Sequence, residues 1–239
     1  MATAPRGLAD LLAGELAALG AQQVGERGGA VGFEGTLSTG YAACLWSRVA
    51  SRVLLQVAEY PAADAMGYYN GARAVDWTAH LAPGGTLACE FTGRHGAITD
   101  TRFGALRLKD AICDALREHT GSRPDVDTDR PSLRVVAHAH RGVIQLYVDL
   151  AGEGLHRRGY RERSGEAPLR ENLAAGILLR AGWPKLAAES ASFLDPMCGS
   201  GTLVIEAAMI AADESACCCK ASSVRIWVAT VKRLLMRIC

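Results

Sequence analysis

The stretch from Asp195 to Thr202, Asp-Pro-Met-Cys-Gly-Ser-Gly-Thr, limits the possible folds of this chain more than any other. An acidic residue, a glycine turn and the apolar run 203–210 predict a strand end, a tight loop and a helix start. This order is typical of α/β domains that hold a cofactor at a helix N-terminus. Only 37 of the 239 residues follow Thr202, whereas a doubly wound domain that opens with such a loop needs roughly 100 more. We therefore expect the start of a catalytic domain and not a whole one.

Spacing excludes two common phosphate-binding loops. A Walker loop needs the pattern Gly-x-x-x-x-Gly-Lys-Ser/Thr, and no lysine follows the glycines here. The dinucleotide pattern Gly-x-Gly-x-x-Gly needs a glycine where Val204 stands. Gly199 and Gly201 can still serve a ligand, because glycine lacks a Cβ and lets the backbone approach closely. The alternative is a tight turn between strand and helix with no ligand.

The composition, with 49% hydrophobic and 21% charged residues, is typical of a globular protein of one or two domains. No apolar run reaches the roughly 18 residues that cross a bilayer, and residues 1–6 lack the features of a signal peptide. We therefore expect a cytoplasmic location and no membrane partner. The eight cysteines include no Cys-x-x-Cys pair and no histidine at ligand spacing, which predicts no metal site. A soft metal bound by Cys217, Cys218 and Cys219 is the alternative.

Positive charge in this chain is local. The net charge is +1, but residues 214–239 carry five basic side chains and one acidic one, so the rest of the chain is mildly acidic. A nucleic-acid interface must therefore be a basic patch on an acidic body. Two groups qualify: Arg94, Arg102, Arg107 and Lys109, and then His156, Arg157, Arg158, Arg161 and Arg163 with Tyr160 among them. The alternative for either group is a solvated face without a partner.

Apolar periodicity and turn residues predict short alternating elements. Predicted helices cover residues 7–19, 36–46, 72–80 and 168–181. A further amphipathic helix carries Leu108, Ile112 and Leu116 and ends before Gly121. Predicted strands cover residues 31–33, 52–58, 86–91 and 193–195, and residues 133–138 and 143–150 read as an antiparallel hairpin. His138 and His140 lie at this hairpin, where we interpret them as ordinary strand or surface residues.

Four segments together resemble one known family. They are Pro5-Arg-Gly-Leu-Ala-Asp-Leu-Leu12, the run 43–55, the run Phe103-Gly-Ala-Leu-Arg-Leu-Lys-Asp-Ala111, and Leu155-His-Arg-Arg-Gly-Tyr-Arg161 with 167–169. With the loop at 195–202, they are similar to the THUMP-containing guanine-N2 methyltransferases of 23S rRNA, over residues 1–213. The resemblance implies α+β ferredoxin-like and THUMP domains followed by an incomplete α/β Rossmann-type methyltransferase domain. The implied ranges are 1–42, 43–154 and 155–213.

The same resemblance implies a cofactor with its contact residues, and an RNA partner. The cofactor is S-adenosylmethionine, whose methyl group passes to the exocyclic N2 of a guanine in 23S rRNA. The cofactor-binding residues are Asp195, Pro196, Cys198, Gly199, Ser200, Gly201 and Thr202. For the RNA, local positive charge predicts the contact residues Arg94, Arg102, Arg107, Lys109, Arg157, Arg158, Tyr160 and Arg161. A methyltransferase of the same architecture acting on tRNA is an alternative, and an RNA-binding module without catalysis is another.

Two further family features are missing from this sequence. The family's Asn-Pro-Pro-Tyr signature is absent, because none of the eight prolines is adjacent to another. The acidic residue that holds the cofactor ribose at the end of the second strand is also absent, because no such strand arises after Asp213. We therefore assign no catalytic residue and predict no methyl transfer by this chain alone.

Residues 214–239 depart from the family pattern. One hypothesis is a shift of reading frame near residue 215, since repeated leucine codons CTG read one base later give TGC, the cysteine codon. The alternative is a real basic amphipathic helix over about 224–238 that docks on a partner or a membrane surface. The sequence does not indicate an oligomeric state.

Overall fold

The N-terminal 53 residues build a small antiparallel sheet with two helices. The computed structural model describes residues 1–160 and 169–216, in two units that are treated separately below. Of the described residues, the first unit contains 1–53, 153–160 and 169–216, and the second contains 54–152. The two units divide between Val53 and Leu54, whereas we predicted a domain boundary between residues 42 and 43.

Strand β1 (Ala2–Thr3) lies in the middle of the first sheet. It pairs antiparallel with β3 (Ala30–Glu34) on one side and with the start of β4 (Arg52–Pro61) on the other. Strand β2 (Gln22–Arg27) extends this sheet by a hairpin with β3. The hairpin turns at Gly28 and Gly29, whose φ angles are +60° and +89°. Glycine adopts such positive angles readily, whereas most other residues do not.

The two helices of this part form where apolar spacing predicts them. Helix α1 (Ala9–Ala18) buries Leu12 and Leu16 completely. Helix α2 (Leu37–Trp46) begins after Thr36, whose hydroxyl oxygen accepts a hydrogen bond from the amide of Thr39. The sequence prediction is therefore confirmed for both helices, whereas the two-residue strand β1 and strand β2 were missed.

The second unit is a sheet with both antiparallel and parallel neighbours. Its order is β4, β8 (Val143–Asp149), β7 (Leu133–His140), β5 (Thr86–Gly93) and β6 (Asp125–Val126). Strands β7 and β8 form the predicted antiparallel hairpin, which turns at Arg141 and Gly142 with φ of +50° and +78°. Strands β5 and β7 are parallel and are connected through α4 (Thr101–Thr120).

Helix α4 covers one face of this sheet closely. Its residues Leu108, Ile112 and Leu116 are buried, as their spacing predicts. Gly104 permits the close approach, because a Cβ there would lie 2.5 Å from the ring of Phe91. The buried hydroxyl of Tyr68 donates a hydrogen bond to the carbonyl of Gly104 at 3.1 Å. Helix and sheet are therefore joined by both packing and a buried polar contact.

The prediction of a helix over residues 72–80 is wrong. The chain instead forms α3 (Ala65–Arg73) and then a single 3₁₀ turn at Trp77–Ala79. Two aspartates impose this division, because each caps a new helical start. Asp64 accepts from the amide of Gly67 at 2.7 Å, and Asp76 accepts from the amide of Thr78 at 3.0 Å.

The later part of the first unit consists of three short helices. They are α5 (Glu171–Arg180), α6 (Trp183–Ala188) and α7 (Thr202–Ala211). The start that we predicted for α5 at Pro168 lies outside the described residues. Trp183 anchors α7, because its ring nitrogen donates to the carbonyl of Ala207 at 2.8 Å. The ring of Trp183 also packs edge-on against Phe193 at 5.1 Å between centroids.

The strand predicted at residues 193–195 is not formed. These residues are irregular, and Leu194 is 85% exposed. A strand needs a neighbouring backbone to complete its hydrogen bonds, and within 1–160 and 169–216 no strand pairs with this segment. The loop residues that follow are therefore held by α7 and not by a sheet.

The close approach of β5 to β7 at Gly93 generates a stability prediction. Gly93 has a φ of +87°, and an added Cβ would lie 2.1 Å from the carbonyl oxygen of Ala139. We expect Gly93→Ala to lower the free energy of unfolding by about 1–3 kcal/mol in urea denaturation. Gly96→Ala is the matched control, because a Cβ there meets nothing within 4 Å. Equal effects of the two substitutions would contradict this account of Gly93.

Candidate cofactor loop and nucleic-acid interface

The loop from Asp195 to Thr202 adopts a backbone conformation that its two glycines permit. Gly199 and Gly201 have φ angles of +53° and +75°, in the left-handed region that strains other residues. The amide of Gly201 donates to the carbonyl of Cys198 at 2.7 Å and closes a tight turn. At the start of the loop, a carboxylate oxygen of Asp195 accepts from the amide of Met197 at 3.0 Å.

The loop is open to solvent and leads directly into α7. Pro196, Cys198, Gly199 and Ser200 are exposed, Asp195 and Gly201 are half-buried, and Thr202 is buried. The amide of Ile205 donates to the carbonyl of Gly201 at 2.8 Å, so the first helical turn begins at the last glycine. The amides of a first turn have no acceptor within their own helix and carry partial positive charge. The loop therefore combines accessible amide donors with one carboxylate acceptor.

A buried ion pair involves the helix that follows this loop. Arg158 is 1% exposed and Glu206, on α7, is fully buried. The Nε of Arg158 lies 3.4 Å from Oε1 of Glu206, and the hydroxyl of Tyr160 donates to the same oxygen at 2.9 Å. Burial raises the pKa of the Glu206 carboxyl, against the opposing effect of Arg158. Burial and the neighbouring Glu206 raise the pKa of the Tyr160 hydroxyl above its usual value.

The assignment of Arg158 as an RNA contact is wrong. Its remaining guanidinium nitrogens donate to main-chain carbonyls, Nη1 to Leu155 at 3.2 Å and Nη2 to Arg48 at 2.6 Å. A side chain enclosed in this way presents no donor to a phosphate. A run of basic residues predicts a charged segment, but the run does not indicate which side chain turns inward.

The rest of the second basic group has different surroundings. Arg157 is exposed. Tyr160 is half-buried, with its hydroxyl hydrogen-bonded to Glu206. The predicted contact Arg161 lies outside the described residues, as does Arg163. Arg157 and Tyr160 thus remain predictions from the sequence.

The first basic group lies where β5 leads into α4 of the second unit. Arg94 directly follows β5, and Arg102 stands in the first turn of α4; both are exposed. Arg107 places its guanidinium carbon 4.4 Å from the centroid of the Tyr69 ring, in a cation–π contact. The ammonium of Lys109 lies 3.0 Å from a carboxylate oxygen of Asp110. Arg94 and Arg102 are therefore the more accessible pair of this group.

Glu206 and Arg48 were missed by the sequence analysis. A signal was present for Glu206, because it is the one charged residue in the apolar run 203–210. A carboxylate on an otherwise apolar helix requires a buried partner, since an isolated buried charge is costly. No sequence pattern pointed to Arg48, whose contacts join residues far apart in the chain.

Two expected absences concern metals and membranes. Among the described residues, no group of three or more His, Cys, Asp or Glu side chains is placed to hold a metal ion. The alternative site at Cys217, Cys218 and Cys219 lies outside those residues. No described helix is both long and apolar enough to cross a bilayer.

Comparison with known families places three domains in order along the chain. The model of the RlmL ferredoxin-like domain matches residues 1–54, that of the THUMP domain matches 63–149, and that of the RMKL-like methyltransferase domain matches 158–233. The last match runs beyond residue 213, where we expected the family pattern to stop. These matches confirm the predicted fold class of ferredoxin-like, THUMP and methyltransferase domains.

Curated relatives and a solved structure point to the same group. The ribosomal RNA large subunit methyltransferase K/L of Methylococcus capsulatus is 50% identical over 212 residues, which are 89% of this chain. The protein of the same name from Pseudomonas aeruginosa is 51% identical over 211 residues, 88% of this chain. The crystal structure of SMU.472 in complex with SAH matches with a TM-score of 0.82 and 28% identity. That match covers 99% of this chain and 62% of the SMU.472 chain.

The matches cover most of this chain but only a minor part of each curated relative. This chain spans 29% of the length of both curated relatives. Within that span, the order of the three domains and the identity to both relatives agree with the resemblance seen in the sequence. The chain therefore carries an RlmL-type ferredoxin-like domain, a THUMP domain and an RMKL-like methyltransferase domain, and it is similar over 88–89% of its length to ribosomal RNA large subunit methyltransferases K/L.

Proposed function

We propose that this chain supplies the RNA-binding part and the first cofactor contacts of an S-adenosylmethionine-dependent methyltransferase acting on guanine N2 of 23S rRNA. The observation that carries the proposal is the exposed loop at 195–202, with two left-handed glycines directly before α7. The names of the relatives support an rRNA substrate. An rRNA substrate is in turn consistent with the cytoplasmic location expected from the sequence.

The described residues fit the methionine end of the cofactor. A carboxylate group is suited to the amide donors at the start of α7, and an ammonium group is suited to the carboxylate of Asp195. Gly199 and Gly201 present no side chain, so the backbone can pass close beneath this part of the ligand. Ser200 and Thr202 contribute hydroxyl groups, whose oxygens lie 3.3 Å apart.

The cofactor, when bound, supplies a methyl group on a sulfonium that an amine can attack directly. No covalent intermediate with the protein is needed for this transfer, so Cys198 is a cofactor neighbour in the proposal and not a nucleophile. The target guanine must leave its base stack to reach the loop. Contacts to phosphates at Arg94, Arg102 and Arg157 would hold the surrounding RNA, because backbone neutralisation supplies affinity without reading sequence.

The cofactor part of the proposal is tested by calorimetric titration with S-adenosylhomocysteine. We expect the chain to bind it and Gly199→Ala to weaken binding at least about tenfold, because a Cβ at this φ shifts the loop backbone. Gly182→Ala is the matched control, since Gly182 has a φ of +73° and equally open surroundings at the start of α6. Absence of binding by the unsubstituted chain would refute the cofactor assignment and leave an RNA-binding module.

The RNA part is tested by the salt dependence of binding to an undermethylated 23S rRNA fragment. We expect Arg102→Ala to weaken binding and to reduce the slope of log K against log salt by about 0.7 to 0.9, as one lost phosphate contact does. Arg117→Ala on the same helix is the control, because Arg117 pairs with Asp114 at 3.1 Å. Equal slopes for the two variants would contradict the interface at Arg102. Stronger binding to tRNA would favour the tRNA enzyme instead.

Turnover is the third test. The 239 residues contain no Asn-Pro-Pro-Tyr signature. We therefore expect no methyl transfer from labelled S-adenosylmethionine to undermethylated 23S rRNA by this chain alone. Clear incorporation of label by the purified chain would refute the assignment of an incomplete active site.

A further inference from the structure

Helix α7 is held at its middle by a buried polar contact. Glu206 accepts hydrogen bonds at one carboxylate oxygen from Tyr160 and from Arg158. Both donors come from the segment 155–160, which follows the second unit in sequence. A buried ion pair contributes little net stability, because desolvation offsets its attraction, but it tolerates only a narrow range of geometries. Glu206 therefore constrains where α7 lies more than it stabilises the fold.

The C-terminal end of α7 is held by a residue from the ferredoxin-like domain. The Nη2 of Arg48 lies 2.7 Å from the carbonyl oxygen of Glu214 and 3.4 Å from that of Met209. The last carbonyls of a helix lack N–H donors within the helix and carry partial negative charge, so a guanidinium is a suitable donor to them. Burial lowers the pKa of the Arg48 guanidinium, an effect that Glu206 opposes.

Arg48 reaches α7 by a second route. Its main-chain carbonyl accepts the 2.6 Å hydrogen bond from Arg158, the partner of Glu206. A single residue of the ferredoxin-like domain therefore supports both the middle and the end of α7.

The segment that carries Arg48 is itself fixed on two sides. The Glu15 carboxylate, on α1, accepts from the hydroxyl of Ser47 at 2.6 Å and from the amide of Arg48 at 3.0 Å. The side chain of Asn172, on α5, donates to the hydroxyl of Ser51 at 2.9 Å and to the carbonyl of Val49 at 3.3 Å. Residues 47–51 thus form a polar bridge between α1 and α5, and Arg48 extends from this bridge to α7.

We propose that Arg48, Arg158 and Glu206 are positioning residues, which set the place of α7 and thereby hold the loop 195–202 in its cofactor-binding conformation. The inference rests on the cofactor role proposed for that loop. It assigns the ferredoxin-like domain a role as a support for the cofactor site. Because α7 starts at the last glycine of the loop, a displaced helix displaces the amide donors that the ligand needs.

The test compares Arg48→Met, Arg48→Lys and Arg180→Ala in the 239-residue chain. Arg48→Met keeps an unbranched stem but donates nothing to Met209 and Glu214, whereas Arg48→Lys keeps a positive donor. Arg180→Ala is the matched control, because Arg180 also joins the ferredoxin-like domain to a helix of the methyltransferase part, by its ion pair with Asp10. That pair is exposed, and its arginine lies on α5 and not on α7. Each variant is titrated with S-adenosylhomocysteine and examined by hydrogen exchange of amides 197–205.

We expect Arg48→Met to weaken S-adenosylhomocysteine binding about 3- to 30-fold and to speed exchange of the loop amides. Arg48→Lys should recover most of the affinity, and Arg180→Ala should change it less than about twofold. An unchanged affinity and exchange rate in Arg48→Met would overturn the inference. An equal loss in Arg180→Ala would also overturn it, since the effect would then reflect general docking of the domain.

Two further outcomes keep the inference and the proposed function separable. If the unsubstituted chain does not bind S-adenosylhomocysteine, the proposed function fails, while loop exchange in Arg48→Met still decides whether Arg48 positions the loop. If Arg48→Met does not fold, the milder Tyr160→Phe decides, because it removes a single hydrogen bond to Glu206. Faster loop exchange in Tyr160→Phe would support the positioning role, and unchanged exchange would overturn it.

Discussion

A carboxylate buried on an apolar helix has to be satisfied by groups brought to it from elsewhere in the chain. In the first unit this carboxylate belongs to Glu206, its donors are Arg158 and Tyr160, and Arg158 also donates to the carbonyl of Arg48. Because each hydrogen bond has a narrow range of distance and angle, these contacts set the position of α7 against the ferredoxin-like domain. The glycine loop precedes α7 without an intervening residue. Its placement depends on the same contacts.

The second unit positions its candidate interface by a different constraint. Parallel pairing of β5 with β7 requires a crossover connection, and α4 provides it across one face of the sheet. Most residues between β5 and α4 are exposed, and so are Arg94 at the start of this connection and Arg102 in the first turn of α4. Gly93 and Gly104 permit the backbone to approach its neighbours on either side of this connection. The positions of Arg94 and Arg102 thus depend on close backbone packing at these two glycines.

Local patterns predicted much of the fold. Helices α1, α2 and α4 and the hairpin of β7 with β8 follow from apolar spacing and from turn residues, and the structure confirms them. The prediction was wrong at α3, because the capping bonds of Asp64 and Asp76 outweighed the apolar spacing. It was also wrong at residues 193–195, where a strand-like sequence has no partner backbone among the described residues. The candidate site was also predicted only in part. The sequence indicated the loop 195–202, but it did not indicate Arg48 and Glu206, which contact the segments around α7.

The amino-acid sequence by itself determined where the chain can form the tight loop. Gly199 and Gly201 permit the left-handed backbone angles found there, which strain other residues. Only the tertiary structure decided that Arg158 turns inward while its neighbour Arg157 remains exposed. The physical reason is that burial depends on which distant segments meet. Arg48, Arg158 and Glu206 are separated by many residues in the chain and come together only when the domain around them has formed.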